Sequence, residues 1–185
     1  MAHFDPAATL KREGLYSHDP VDAGGETWRG IARKANPDWP GWAIIDAQKF
    51  GGILTADKLR ALAADERLNG LVFDLYRERY WKAEYERIES QDVASKVFDL
   101  AVNMGPQQAH KLLQRAVRAT GRKVDDDGVL GPVTLAAVNE ARPDTLLAAF
   151  RSEAAGFYRV LVARKPDQER FLAGWLGHRA YGDAD

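Results

Sequence analysis

No cysteine occurs anywhere in the 185 residues. That absence excludes a disulfide framework, a cysteine-ligated zinc, an iron–sulfur cluster and a thiol nucleophile. Histidine is scarce: His3, His18, His110 and His178 are scattered with no i, i+4 pair, so no metal and no cofactor is expected. An excess of one charge is missing too. With 26 Lys and Arg against 27 Asp and Glu the net charge is −1, whereas general nucleic-acid binding needs a basic surface that displaces counterions from phosphates. Dividing the chain after Ser90 leaves 13 basic and 15 acidic residues before the cut and 13 and 12 after it, so neither half is a polybasic arm or an acidic tail. No apolar run approaches the ~20 residues that span a bilayer, and no stable membrane insertion is expected. The opening MAHFDPAATLKREG lacks the basic-then-apolar layout of a secretory signal. The expectation is a cytoplasmic location until another agent releases the protein.

Several chemical signatures are absent as well. There is no G-x-G-x-x-G, no G-x-x-x-x-G-K-[ST], no G-x-S-x-G and no H-E-x-x-H, which argues against dinucleotide, P-loop, serine-hydrolase and zincin chemistry. The run Asp125-Asp126-Asp127-Gly128 imitates a calcium loop, but the first and twelfth positions would then be Lys123 and Thr134, where carboxylates are required.

What is present is a chain 45% hydrophobic and 29% charged, long enough to bury roughly 70% of its unfolded surface without staples. Asp5-Pro6 predicts a short helix over residues 6–13, stopped by Gly14. Residues 15–30, LYSHDPVDAGGETWRG, predict a small hairpin or irregular β excursion. Helical periodicity dominates from there. Thr55 reads as an N-cap; Val93, Val97, Leu100 and Ala101 share a face over 92–103; Ala109, Leu112, Leu113, Ala116 and Val117 share one over 106–120. A further helix starts near Pro132. Pro143 opens a longer one with Leu146, Leu147, Phe150, Ala154, Phe157 and Leu161 on one stripe, and a last short helix carries Phe171, Leu172 and Trp175. The fold class is mainly α with a small β or irregular element near the N-terminus. Residues 1–90 and 91–185 form two regions, either separate lobes or one continuous core.

The surviving chemical constellation is acidic: Glu13, Asp19, Asp22 and Glu26, interleaved with Tyr16, Ser17 and Thr27. Glycoside hydrolysis needs one protonated acid to donate to the leaving oxygen and a second carboxylate to activate water or steady an oxocarbenium-like centre. Glu13 closes a helix and Asp22 follows nine residues later, with Thr27 five beyond that. Acids are also common in surface loops, so spacing alone does not decide. Asp19 and Glu26 compete with Asp22 for the second role. Among the five tryptophans, Trp28 beside the acids is the best groove wall, Trp39 and Trp42 are placed to line or flank a cleft, and Trp81 and Trp175 fall in helical patterns that read as core.

The wording of the segment is more specific than its spacing. EGLYSHDPVDAGGETWRGI, residues 13–31, closely resembles the signature of glycoside hydrolase family 108, E-G-G-Y-x-x-x-P-x-D-x-G-G-x-T-x-x-G-I. These are muramidases of phages, prophages and Gram-negative bacteria, some of them called secretion activators. VFDLAVNMGPQQAHKLLQRAV, DGVLGPVTLAAVN and FLAGWLGHR are similar to the predicted peptidoglycan-binding region of the same proteins. The resemblance implies a lysozyme-like helical fold with residues 1–90 catalytic and 91–185 wall-binding. It makes Glu13 the catalytic acid, with Asp22 and Thr27 at the positions that hold the attacking water. It gives Tyr16, Gly25, Trp28 and Asn103 as substrate-binding positions and Gly24 with Gly25 as turn glycines. The implied activity is that of an endolysin-type N-acetylmuramidase, with peptidoglycan as partner, a monomeric state and release through a holin. The alternative is a non-catalytic peptidoglycan-binding or secretion-assisting protein, and a different glycan such as chitin is a further rival.

Three residues carry open readings. Leu15 stands where the family has a second glycine, and a positive φ there would strain it by about 1–2 kcal/mol. Asn103 either meets an N-acetyl group or braces a loop, or simply stops a helix before Gly105-Pro106. Asp127, Gly128, Gly131 and Thr134, in the pattern D-G-x-x-G-x-x-T, read mainly as a glycine-enabled turn leading into a helix. An acid donor must hold its proton near neutral pH, which burial against apolar groups would favour.

Overall fold

A computed structural model of the chain describes residues 1–18, 25–51 and 53–182. Among these, ten α-helices and one three-stranded antiparallel sheet make up most of the regular structure, so the fold is mainly α as the periodicity predicts. The chain divides into two compact units, Pro6–Arg79, and Met1–Asp5 together with Tyr80–Asp185. The 90/91 division lies inside the second unit, just before a helix that begins at Gln91.

The N-terminal unit begins with α1 (Ala7–Arg12), followed by strands β1 (Tyr16–His18), β2 (Glu26–Trp28) and β3 (Ile31–Ala32) in the order β1-β2-β3. The register sets Tyr16 opposite Trp28, Ser17 opposite Thr27 and His18 opposite Glu26. Because side chains alternate across a strand, Glu26 and Trp28 share one face of β2 and Thr27 occupies the other. Helices α2 (Gly41–Asp46), α3 (Ala56–Ala63) and α4 (Glu66–Tyr80) complete the unit. Their starts follow local chemistry: Thr55 Oγ1 accepts from Lys58 N–H at 3.4 Å, and Asp65 Oδ1 accepts from Leu68 N–H at 2.7 Å. Trp39 and Trp42 meet edge to face at 5.2 Å. Each indole N–H reaches a carbonyl, Trp39 that of Leu71 and Trp42 that of Asn36. Gly41 lies so close under the Trp39 ring that a Cβ would collide with it.

The second unit contains α5 (Ala83–Glu86), α6 (Gln91–Met104), α7 (Pro106–Ala119), α8 (Pro132–Glu140), α9 (Pro143–Arg164) and α10 (Glu169–Gly174), then a π-helical turn, Trp175–Ala180. Residues 1–5 belong here because Ala2 N–H donates to Ile88 O and His3 exchanges two hydrogen bonds with the Gln91 side chain. Phe4 also packs edge to face on Trp81 and Phe98. Helix α6 is buried over Val93, Ala94 and the run from Lys96 to Ala101, the pattern of a central helix. Its two buried charges, Lys96 and Asp99, meet partners near the C-terminus of the chain. Lys96 Nζ donates to the carbonyls of Arg179 (2.6 Å) and Gly182 (3.0 Å), and Arg179 pairs with Asp99 at 3.0 Å.

Two sequence expectations change in this unit. The buried stripe of α9 is Leu146, Phe150, Ala154, Ala155 and Tyr158, while Phe157 and Leu161 are only half-buried. Trp175 is half-buried as well, stacked on Tyr158 at 5.2 Å. The observed stripe steps by four residues through Leu146, Phe150, Ala154 and Tyr158, so on a helix of 3.6 residues per turn it winds about 40° further round the helix at each step.

The Asp127–Thr134 turn is held from within. Gln114, 1% exposed, donates through Nε2 to Asp127 Oδ1 and Val129 O and accepts at Oε1 from Gly128 N–H. His110 Nδ1 lies 2.9 Å from Gly128 O, so Nδ1 carries the proton and Nε2 accepts from the Tyr85 hydroxyl at 2.7 Å. Burial pushes His110 below its ordinary range and keeps it in that neutral form. The motif therefore has the structural role read from its glycines. Gln114→Ala should cost about 2–4 kcal/mol in urea unfolding, because Gly128 N–H loses its partner while Asp127 Oδ1 and Val129 C=O each lose a donor. A loss under about 1 kcal/mol would mean that another group holds the turn.

Candidate active site

Glu13 is the C-cap of α1. Its N–H donates to Thr9 O at 3.2 Å, and Gly14 follows with φ +76°, the left-handed step that commonly ends a helix. The chain then enters β1, and Leu15 O accepts from Arg29 N–H at 2.8 Å. Among the described residues only Arg29 is a non-glycine with positive φ, so Leu15 carries no left-handed strain. The departure from the family pattern is harmless to the backbone.

The β2–β3 connection is Arg29-Gly30, both at positive φ (+44° and +77°), as a two-residue type I′ hairpin turn requires. The Tyr76 hydroxyl on α4 donates to Arg29 O at 2.7 Å and fixes that turn. Glu13 meets the turn directly. A Cβ at Gly30 would lie 2.7 Å from Glu13 Oε2 and 2.7 Å from the Tyr76 oxygen. The Glu13 carboxyl and the Tyr76 hydroxyl thus flank one glycine, with Glu13 half-buried.

The other acid on described residues, Glu26, has a different fate. It is 8% exposed, with Oε2 2.7 Å from Arg33 Nε and Oε1 2.7 Å from Lys49 Nζ. The Tyr16 hydroxyl donates to Oε1 at 3.0 Å. Arg33 and Lys49 also hold Asp46, and the Arg33 guanidinium lies 4.2 Å from the Trp42 ring centroid. Burial opposes the charge on Glu26, but hydrogen bonds from Lys49, Arg33 and Tyr16 outweigh it and hold the carboxyl below its usual range. Burial and the neighbouring Glu26 push the Tyr16 phenol up to about 12. A carboxylate with both oxygens engaged by cations is a poor base, which removes Glu26 from contention for the second catalytic role.

Other expected positions separate. Trp28 is fully buried, 0% exposed, so it supports the hairpin from inside and offers no groove wall. Trp39 and Trp42 are buried too and do not line a cleft. Tyr16 is engaged by Glu26. Gly25 is buried at φ +65°, where a Cβ would come 3.2 Å from Lys34 Cε, so its need is a backbone one. Thr27 is half-buried on the β2 face away from Glu26. Asn103 sits in the second unit near the end of α6, its Oδ1 accepting from the Tyr158 hydroxyl at 2.7 Å. Asp19, Asp22 and Gly24 lie outside the described residues. Gly30 stood in the T-x-x-G of the motif without a role. Tyr76 and Arg33 had no local signal, since their contacts with Arg29, Glu26 and Asp46 join separate elements, and the i, i+3 pair of Asp46 with Lys49 gives no hint that both cations of Asp46 converge on Glu26.

Residues 7–105 match the family model described as glycosyl hydrolase 108. The chain belongs to the glycosyl hydrolase 108 family. Residues 108–180 match a predicted peptidoglycan domain. The solved structure of Brucella abortus SagA is similar over 90% of this chain and 82% of that one, with a TM-score of 0.57 and 26% identity. No curated protein sequence matches. The family 108 protein is thus a glycoside hydrolase that acts on peptidoglycan, a component of the cell wall.

Two outcomes test the site's construction. Gly30→Ala introduces a Cβ at positive φ into the Glu13–Tyr76 contact; it should cost at least about 1–2 kcal/mol in thermal or urea unfolding. Glu26 has a depressed folded-state pKa, so its stabilisation is complete above its unfolded value of about 4.3 and disappears as pH falls through the folded value. Glu26→Gln should therefore flatten the acid limb of a stability–pH curve below about pH 4.3 while lowering stability at neutral pH. An unchanged acid limb would contradict the network.

Proposed function

We propose that this family 108 hydrolase is an N-acetylmuramidase that cuts the β-1,4 bond between N-acetylmuramic acid and N-acetylglucosamine. The observation that carries the proposal is the Glu13 carboxyl, seated at the end of α1 against Gly30 of the β2–β3 turn, within the stretch that matches the family. Glu13 donates its proton to the glycosidic oxygen, the bond to the anomeric carbon breaks, and positive charge develops on the sugar ring. A water oriented by the Thr27 hydroxyl attacks that carbon from the opposite face and gives its proton to Asp22. This assignment needs a carboxyl separation of about 6.5–9.5 Å and gives inversion at the anomeric centre. With Oδ1 occupied by Tyr158, Asn103 keeps its amide N–H groups for a carbonyl such as that of an N-acetyl group.

The same proposal covers the biological setting: a monomeric, bacteriolytic endolysin of phage or prophage type, held in the cytoplasm and released to the periplasm through a holin. A cysteine-free chain supports it, because folding then needs no oxidising compartment. Among the described residues no helix is long and apolar enough to cross a membrane.

Glu13→Gln should reduce muropeptide release from purified sacculi by at least about a hundredfold, with far-UV circular dichroism and melting temperature nearly unchanged. Mass analysis of wild-type products should place the new reducing ends on muramic acid; reducing ends on glucosamine would sink the bond assignment. Asp22→Asn should cause a loss of similar order, and NMR of the first product should show the α-anomer. An initial β-anomer would replace the water-activating role of Asp22 with a retaining route.

A further inference from the structure

Helices α7 and α9 enclose a groove of about 540 Å³ in the region that matches the predicted peptidoglycan domain. Its floor is apolar: Leu112 from α7, with Phe157 and Leu161 from α9. Its rim is charged, with Arg115 on the α7 side and Glu153 and Arg164 on the α9 side. Asp126 holds Arg115 through Nε at 2.7 Å. This explains the half-exposed Phe157 and Leu161, which line an open groove and leave the core to Leu146, Phe150 and Tyr158.

Gly156 gives an independent indication. It lies in the interior of a 22-residue helix, where glycine is a poor helix former, and a Cβ there would meet nothing within 4 Å. No packing neighbour requires the glycine. It lines the groove, and what the missing side chain provides is width.

Charge narrows the occupant. Residues 108–180 carry twelve Lys and Arg against eight Asp and Glu, a formal +4, while residues 7–105 carry fourteen against sixteen, a formal −2. Only the former stretch carries a net attraction for anions. In peptidoglycan the glycan strand is neutral where the lactyl carboxyl of muramic acid is amidated, and the free carboxylates lie on the attached peptide. A stem peptide with a diamino acid at its third position also carries an ammonium group and alanine methyls, matching one acid and an apolar floor.

We propose that the groove between α7 and α9 binds the stem peptide of peptidoglycan, with Arg115 and Arg164 on its carboxylates, Glu153 on its ammonium group, and Leu112, Phe157 and Leu161 under its methyls. The proposal rests on peptidoglycan being the substrate. Binding by the peptide places the recognition element on the part of the wall that the hydrolase does not cut.

The test is calorimetric titration of the full chain with the free tetrapeptide L-alanyl-γ-D-glutamyl-meso-diaminopimelyl-D-alanine. The expected result is saturable binding that weakens with salt and weakens at least tenfold in both Gly156→Leu and Arg164→Glu. Gly156→Leu fills the groove with a better helix former, so its melting temperature should hold or rise while binding falls. Unchanged affinity in both variants would overturn the proposal, as would no peptide binding, or binding of peptide-free glycan strands that Gly156→Leu alone abolishes. Hydrolysis is read separately on peptide-free strands and intact sacculi. Cleavage without peptide binding sinks the groove and leaves the hydrolase reading standing; groove-dependent peptide binding without cleavage does the reverse.

Discussion

The Glu13 carboxyl approaches Gly30 so closely that no Cβ fits between them, and the N-terminal unit is arranged around that contact. Gly14 turns the chain out of α1, the left-handed Arg29-Gly30 turn brings the sheet back, and the Tyr76 hydroxyl clamps the turn from α4. Each piece alone is ordinary. Together they hold a carboxyl at a helix end against backbone, with the side chain half-buried. A positive-φ arginine costs on the order of 1 kcal/mol, a strain that persists because both neighbouring strands and α4 determine the turn.

Glu26 follows Glu13 by thirteen positions and is held by a different part of the unit. Glu26 is enclosed by Arg33, Lys49 and Tyr16, and the same two cations reach Asp46. An ion pair of this sort contributes less to net stability than its Coulomb energy implies, because desolvation offsets much of the attraction. Its role is positional: it ties β2 to the segment after β3 and to the end of α2. The second unit uses buried polar groups in a similar way. Lys96 and Asp99 hold the C-terminal turn, while Gln114 and His110 hold the loop before α8.

Helix positions were largely legible because apolar spacing and local breakers act over a few residues. Ser90 caps α6 by accepting from Val93 N–H, and prolines open α7, α8 and α9. The small sheet was legible as a hairpin through its glycines. Less legible were properties fixed by register and long-range contact. Trp28 shares the Glu26 face of β2, and nothing in its neighbours reveals that this face is the interior. The partners of Glu26 lie up to 23 residues away, so nothing local in the sequence marks it as an acid locked by cations. In α9, a single residue step separates a core position, Tyr158, from a groove wall, Phe157. The family signature located Glu13 and Gly30; the structure supplied the reason for the second.

The path of the backbone through the two units has a consequence for their autonomy. The chain starts in the second unit, leaves it after Asp5 and returns at Tyr80. The N-terminal unit is therefore an insertion, joined covalently at both ends. A single proteolytic cut at 79/80 would leave it attached through residues 1–5, which Ile88, Gln91, Trp81 and Phe98 hold in place. Liberating it takes two cuts, and any fragment that begins at Pro6 strips the second unit of its first hydrogen bonds and of the Phe4 ring.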